Sequence, residues 1–410
     1  FPLTGTIAMY FQHVFVFLTT SIILILSGCF SAHLKASEIA DLAALRVQAQ
    51  QRVEQSYSSD WMAHQSSSLS RWLIGAPTLE VSALQSNLAT GTDELEVRLG
   101  VQLQRPDNLD LFDQMELTNQ AIMVARQRQQ ALLISGLVRQ RAWEAAMARQ
   151  QVNALSDKQV WLSRLGTQLT ERFNAGELSR LAYLQWQQQQ LDVQQALVNA
   201  KAELDGTMRA YTELTGSHTL PANMTETVPD SLDAALNSHP ELKLLSLQKQ
   251  YAAAAYQYGR QSQSNWDVAL VARRLQSVMG DENQVGIAVG IPLALEMPAN
   301  PQDLQAWQQT DLALSQSLMN LRITLQQQVS TNMASLTSLE EQIAIGEQQV
   351  AIGEQIVEQL AQLKQSSELE QSNWLQSLLE QRDRTYQLDQ LKLSQQQRVA
   401  QINQLAGQVL

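Results

Sequence analysis

Cysteine occurs once, at Cys29, so the chain has no intramolecular disulfide and no cysteine cluster for a metal. The five histidines, His13, His33, His64, His218 and His239, are scattered without ligand spacing. No nucleophile elbow and no glycine-rich phosphate loop occurs. Lys/Arg clusters are missing too, and the net charge of -12 argues against a nucleic-acid partner. Together these gaps predict a protein that is not an enzyme and holds neither cofactor nor metal. Aromatic residues make up only 6% of the chain, while glutamine recurs throughout. That is poor material for a globular core and good material for long helices packed along narrow seams.

Long apolar runs are also scarce. Val14 to Gly28 is about 15 residues, shorter than the roughly 20 of a membrane-spanning helix and suited to the core of a signal peptide. Neither Lys nor Arg precedes Lys35, and Met9 reads as the start of translation. The run closes on Leu26-Ser27-Gly28-Cys29, which is similar to a bacterial lipobox and makes Cys29 the candidate lipidation site. The alternative is a signal cut around Ala32 to Ala36, leaving no anchor. Residues 1–36 are accordingly set aside as signal.

The rest of the chain says the same thing twice. The first unit, 37–214, opens on a short helix from Glu38 to about Gln65, with Ile39, Leu42, Leu45 and Ala49 at helical spacing. After Pro77, Leu79, Val81 and Ala83 alternate with polar residues. Beyond a turn at Asn87 to Asp93, Leu95, Val97, Leu99, Val101 and Leu103 alternate with Glu96, Arg98, Gly100 and Gln102. This is a hairpin with one apolar and one polar face. After a linker at 215–231 carrying Gly216, Pro221 and Pro229, the second unit, 232–410, repeats the design. It has a short helix, Val268, Leu270 and Ala272, a turn at Gly280-Asp281-Glu282-Asn283, then Val285, Ile287, Val289, Ile291 and Leu293.

Each hairpin leads into a very long helix, from about Asn108 to Asn174 and from about Asn300 to Ser366. Val329, Leu336, Ile343, Val350 and Val357 mark a coiled-coil seam. At about 1.5 Å per residue each helix would reach roughly 100 Å. Returning helices follow, with Leu184, Leu191 and Val198 at heptad spacing in the first and Leu379, Tyr386 and Leu393 in the second. The expected fold is mainly α with a small β part, built from duplicated β-hairpins and long coiled-coil helical hairpins. Each strand nears the roughly 9 to 11 residues of a tilted transmembrane strand, yet four strands are too few to close a barrel. Closure therefore calls for further copies, and a trimer gives twelve strands.

Certain phrases carry a specific resemblance. Phe173-Asn174-Ala175-Gly176-Glu177-Leu178-Ser179, His239-Pro240-Glu241-Leu242 with Ala252 to Ala255, and Gly286-Ile287-Ala288-Val289-Gly290-Ile291-Pro292-Leu293 resemble the outer-membrane efflux family of which TolC is the namesake. Gly75-Ala76-Pro77-Thr78-Leu79 and Trp266 to Leu293 look most like its heavy-metal, CzcC-like branch. The resemblance implies a homotrimeric channel-tunnel in the outer membrane of a Gram-negative bacterium, with a β-barrel in the lipid and an α-helical tube across the periplasm. It also implies docking on a periplasmic adaptor protein and an inner-membrane efflux pump, with heavy-metal cations as a possible cargo.

Under that resemblance the two helical turns are the adaptor-docking tips: Phe173, Gly176, Glu177, Leu178 and Ser179 in the first, Ser367, Glu368 and Leu369 in the second. Leu178 and Leu369 are expected to be exposed there. Gly176 suits the unusual dihedrals of a reversal, and Glu177 and Ser179 suit a helix start. The second tip departs from the family pattern, with Ser367 where glycine is usual and Asn373 and Gln376 where some relatives carry aspartates. The gate at the tube entrance would then fall to Arg172, Arg180, Asn373 and Gln376. The rival reading is a lipid-anchored periplasmic coiled-coil scaffold without channel activity, which accounts for the heptads and Cys29 but not for the duplicated strands.

Overall fold

The computed structural model describes residues 41–56, 72–88, 90–261, 265–291, 300–363 and 368–410. The signal segment with Cys29, both ends of the helix expected from Glu38 to Gln65, Pro292, Leu293 and Ser367 lie outside them.

The alternating segments form four strands, β1 (Thr78–Leu84), β2 (Asp93–Leu103), β3 (Trp266–Ser277) and β4 (Gly280–Gly290). They make one antiparallel sheet in the order β1-β2-β3-β4, so β2 of the first unit pairs directly with β3 of the second. The register aligns Leu79, Leu99, Leu270 and Ile287 in one row and Val81, Val97, Ala272 and Val285 in another. Because side chains alternate with a period of two, such rows gather the apolar residues of both units on one face. The second turn differs from expectation. Gly280 to Asn283 belong to β4, and the reversal is made by Val278 and Met279. Gly280 at φ 131 gives the chain its left-handed exit, and the Ser277 hydroxyl accepts the Met279 N–H at 3.3 Å, closing a two-residue loop.

Seven helices stand among the described residues: α1 (Leu42–Ser56), α2 (Pro106–Asn174), α3 (Arg180–Thr215), α4 (Leu232–Asn237), α5 (Pro240–Gln261), α6 (Pro301–Leu363) and α7 (Glu368–Leu405). α2 has 69 residues and α6 has 63, about 100 Å and 95 Å at helical rise. Pro106 and Pro301 stand at the first helical position, where the missing N–H would have been unsatisfied in any case. The second unit opens on two helices, α4 and α5, where one short helix was expected, and Ser231 at the end of the linker caps α4 by accepting the Ala234 N–H.

Packing sets these rods side by side. α2 pairs with α3 and α6 with α7; nearer the sheet, α5 lies against both α2 and α6, and further down α7 lies against α2. The largest buried cluster joins Leu42, Leu45 and Ala49 of α1 to Val138, Ala142 and Trp143 of α2, Tyr211 of α3 and Ala400 of α7. Beside it the Arg139 guanidinium grips Glu226 of the inter-unit linker through two hydrogen bonds, at 2.9 and 2.7 Å, and donates to Gln404 and to the Gln408 carbonyl. The second unit is thereby tied to the first at mid-height.

The heptad expectation holds for one hairpin and needs correction in the other. Val329 and Leu336 of α6 are buried. Leu184, Leu191 and Val198 of α3 are instead exposed, and the seam against α2 uses Ala182, Trp186, Val193, Leu197 and Ala200. The helix carries two apolar stripes, and the one read from the sequence faces away from its own hairpin partner.

Candidate functional site

The sheet leaves its apolar face bare. Leu79, Val81, Leu99, Leu270, Val285, Ile287 and Val289 are all exposed in the single chain, Ile287 by 74%. Among the described residues no helix covers them, which is the opposite of what a soluble sheet does with such a face. Along β2 the apolar positions run from Leu95 to Leu103, about 27 Å of strand at roughly 3.4 Å per residue. Trp266 and Leu103 lie at the end nearest the helices, while Arg274, hydrogen-bonded to Asp281 at 3.0 Å, lies at the other. An apolar band of that height with polar or aromatic borders fits a bilayer.

The opposite face is charged and internally paired. Arg98 bonds to Asp267, and Arg273 reaches Glu94 and Glu96 at 2.6 Å each. β1 and β4 are the outer strands, so each presents an edge unpaired among the described residues.

The helical wall repeats this arrangement of two open sides. In the lower wall α7 packs on α6 on one side and on both α2 and α3 on the other, leaving outer flanks on α6 and α3. Both carry exposed apolar stripes: Leu184, Leu191 and Val198 on α3, Ile345, Ile352 and Ile356 on α6. The stripes lie at equal depth. Leu191 is 11 residues from the start of α3 (191 minus 180), and Ile352 is 11 from the end of α6 (363 minus 352). Val198 and Ile345 are each 18 away by the same count.

The first tip is a closed structure. Gly176 adopts φ 77, its N–H donates to the Phe173 carbonyl at 3.1 Å, and the Glu177 N–H donates to the Arg172 carbonyl at 2.8 Å. Ser179 caps α3 by accepting the Ala182 N–H at 3.2 Å. Phe173 stacks on Tyr183 with centroids 4.5 Å apart, and Tyr183 leans on Trp186. Leu178 is not exposed as expected: it is 8% accessible and packs with Leu169 and Ala182 beneath the aromatic stack. The residues presented outward are Asn174, Ala175, Gly176 and Glu177.

Arg172 turns back to Glu177 of its own turn at 3.6 Å, and Gln376 donates to Glu380 of its own helix at 3.0 Å. Arg180 is exposed, while Glu368, Leu369 and Asn373 fall in the first two turns of α7. What joins the two hairpins above the tips is a pair of contacts the sequence did not flag. Lys158 bonds to Asp383 at 2.6 Å, and Arg382 lies over the Trp161 ring at 5.7 Å.

Among the described residues no group of three or more His, Cys, Asp or Glu is placed to hold a metal, and no helix is long and apolar enough to cross a membrane. The second observation concerns helices alone and leaves the sheet as the membrane-facing candidate.

No family model and no curated protein matches the sequence. Solved structures do match along nearly the whole chain. A crystal structure of CusC, described in terms of folding and transmembrane channel formation, has a TM-score of 0.58 at 17% identity, covering 90% of this chain and 89% of that one. The outer membrane protein VceC of Vibrio cholerae gives 0.57 at 16% identity, covering 90% and 92%. The open state of the MtrE outer membrane channel of Neisseria gonorrhoeae gives 0.59 at 14% identity, covering 90% and 89%. The chain shares the fold of these proteins: mostly helical, with a small antiparallel sheet.

Proposed function

We propose that this chain is the outer-membrane channel-tunnel component of a tripartite efflux system, a passive exit duct that performs no chemistry. The observation that carries the proposal is the bare apolar face of a sheet open at both edges, set on a wall of helices open on the same two sides. A sheet edge in lipid leaves backbone N–H and C=O groups unsatisfied, so the sheet must close with other sheets. The β1 and α3 side of one copy meets the β4 and α6 side of the next, a head-to-tail contact that closes into a ring. Three copies give twelve strands, within the range of known barrels.

In such a ring the apolar band faces the outer membrane, the paired charges of Arg98, Asp267, Arg273, Glu94 and Glu96 line the barrel, and the helices form the periplasmic tube. The exposed turn at Ala175, Gly176 and Glu177, together with Glu368 and Leu369 at the start of α7, docks on a periplasmic adaptor that connects to an inner-membrane pump. Acylation of Cys29 after removal of the signal anchors the same membrane-proximal end. For the cargo, heavy-metal cations are supported by the wording of Gly75 to Leu79 and Trp266 to Leu293. The shared fold with outer-membrane channels supports the duct over the coiled-coil scaffold, which leaves the bare sheet face without a purpose.

The mass of the purified protein in detergent tests the assembly. A stable trimer fits the duct, and a monomer at micromolar concentration contradicts it.

A further inference from the structure

His239 lies where the sheet-side and tip-side halves of the wall meet. α5 starts at Pro240 and leads toward β3, while α7, coming up from the tip, ends at Leu405. The imidazole between them is 3% exposed. A β-carbon on Gly407 would fall 2.8 Å from its Cδ2, so the ring rests directly on the turn that closes α7. That turn has Gly407 at φ 78, with the Gln408 N–H donating to the Asn403 carbonyl at 2.9 Å. On its other side the ring serves α5: Nδ1 accepts the Glu241 N–H at 3.3 Å. His239 is thus the side-chain cap of α5, and a nitrogen that accepts carries no proton, so the neutral ring holds its proton on Nε2.

We propose that His239 is an acid-sensitive joint in the wall: the neutral ring holds α5 on the closing turn of α7, and protonation releases that contact. Three effects act in the same direction. The proton removes the acceptor that caps α5; the new charge sits at the positive end of a helix dipole; and the site is buried. Burial outweighs the charged groups of the neighbouring elements. α5 contributes Glu241 and Lys243, α4 contributes Asp233, and Arg322 of α6 is engaged with Asn237. The segment from Val399 to Val409 carries no charge, and beyond it Arg139 and Glu226 satisfy each other.

Burial pushes the His239 pKa below its ordinary 6.5. The unfolded chain therefore takes up the proton first as pH falls. The stability contributed by the neutral ring is complete above about pH 6.5 and is lost as pH drops through the folded-state pKa. His218, by contrast, is exposed.

The test uses the full-length protein in detergent. Hydrogen–deuterium exchange at histidine Cε1, followed by mass spectrometry, should give His239 a midpoint below 6.5 and slower exchange than His218. Melting between pH 7.5 and 5 should show a loss of Tm in the wild type. That loss should flatten in His239→Asn, which keeps a capping acceptor without the titration, and persist in His218→Asn. Backbone exchange at 403–410, corrected for intrinsic rates, should rise on acidification only where His239 is present. A His239 midpoint at or above 6.5, or wild type and His239→Asn following one pH course, would overturn the proposal; the first measurement needs no variant.

Discussion

The indole of Trp186 fills the space that a side chain at Gly166 would need. A β-carbon at 166 would fall 2.1 Å from Cζ2 of the ring, whose Nε1 donates to the Leu162 carbonyl at 3.2 Å. Gly166→Ala gains about 1 kcal/mol in helix propensity. It loses about 1–3 kcal/mol to overpacking, because a ring held by its own hydrogen bond cannot swing aside cheaply. The expected net result is destabilisation of the first tip, read as a lower Tm and faster proteolysis near 173–179. An unchanged or raised Tm would show that the α2–α3 seam is looser than drawn here.

Lys158 and Asp383 join the two hairpins, with side chains 13% and 50% exposed. A pair this open contributes about 0–1 kcal/mol to stability, so Lys158→Ala should barely move Tm. If the contact holds the lower tube narrow, the variant should instead raise the mean current through single channels. Wild-type conductance in both Lys158→Ala and Asp383→Asn would remove this pair from any gating role.

The two sheet faces should answer to charge differently. Ile287 sits mid-band on the apolar face and Gln284 on the opposite one. A lysine at the bilayer midplane costs about 2–4 kcal/mol. Ile287→Lys should therefore reduce the amount of assembled protein in the membrane, while Gln284→Lys should assemble normally and shift ion selectivity toward anions. Equal tolerance of both would mean that the sheet does not face lipid.

Leu191 and Ile352 share a depth on opposite sides of the wall, 65% and 57% exposed. In a head-to-tail ring they meet between copies and not within one. With Cys29 replaced by Ser, Leu191→Cys/Ile352→Cys should oxidise into covalent dimers and trimers on denaturing gels. Each single-cysteine variant should stay monomeric there. A double variant that remains monomeric under oxidation would place the seam elsewhere.

Much of this fold was legible because two periodicities rarely mislead over long stretches. Strict alternation marked β2 and β4, and heptads marked α2, α6 and their returns. The heptad signal could not say which copy covers a stripe. Leu184, Leu191 and Val198 obey the same spacing whether they face α2 or a neighbouring molecule, and the buried alternative, Ala182, Trp186 and Val193, is written partly in small residues. Leu178 read as exposed from its place in a turn, yet it is buried in the cluster of Leu165, Leu169, Ala182 and Trp186. Gly280 to Asn283 read as a turn by polarity, although at the water-facing end of a tilted strand polar residues are equally at home. Lys158 and Asp383 are 225 positions apart. No local pattern could have paired them.

Single-channel recording of the purified protein in planar bilayers, with its mass determined in the same detergent, tests the duct most directly. A trimeric wall with a charged lumen predicts discrete conductance steps that change in size with Lys158→Ala and in selectivity with Gln284→Lys. A protein that stays monomeric, or that enters the bilayer without passing current in either variant, would contradict the duct and return the chain to the scaffold reading.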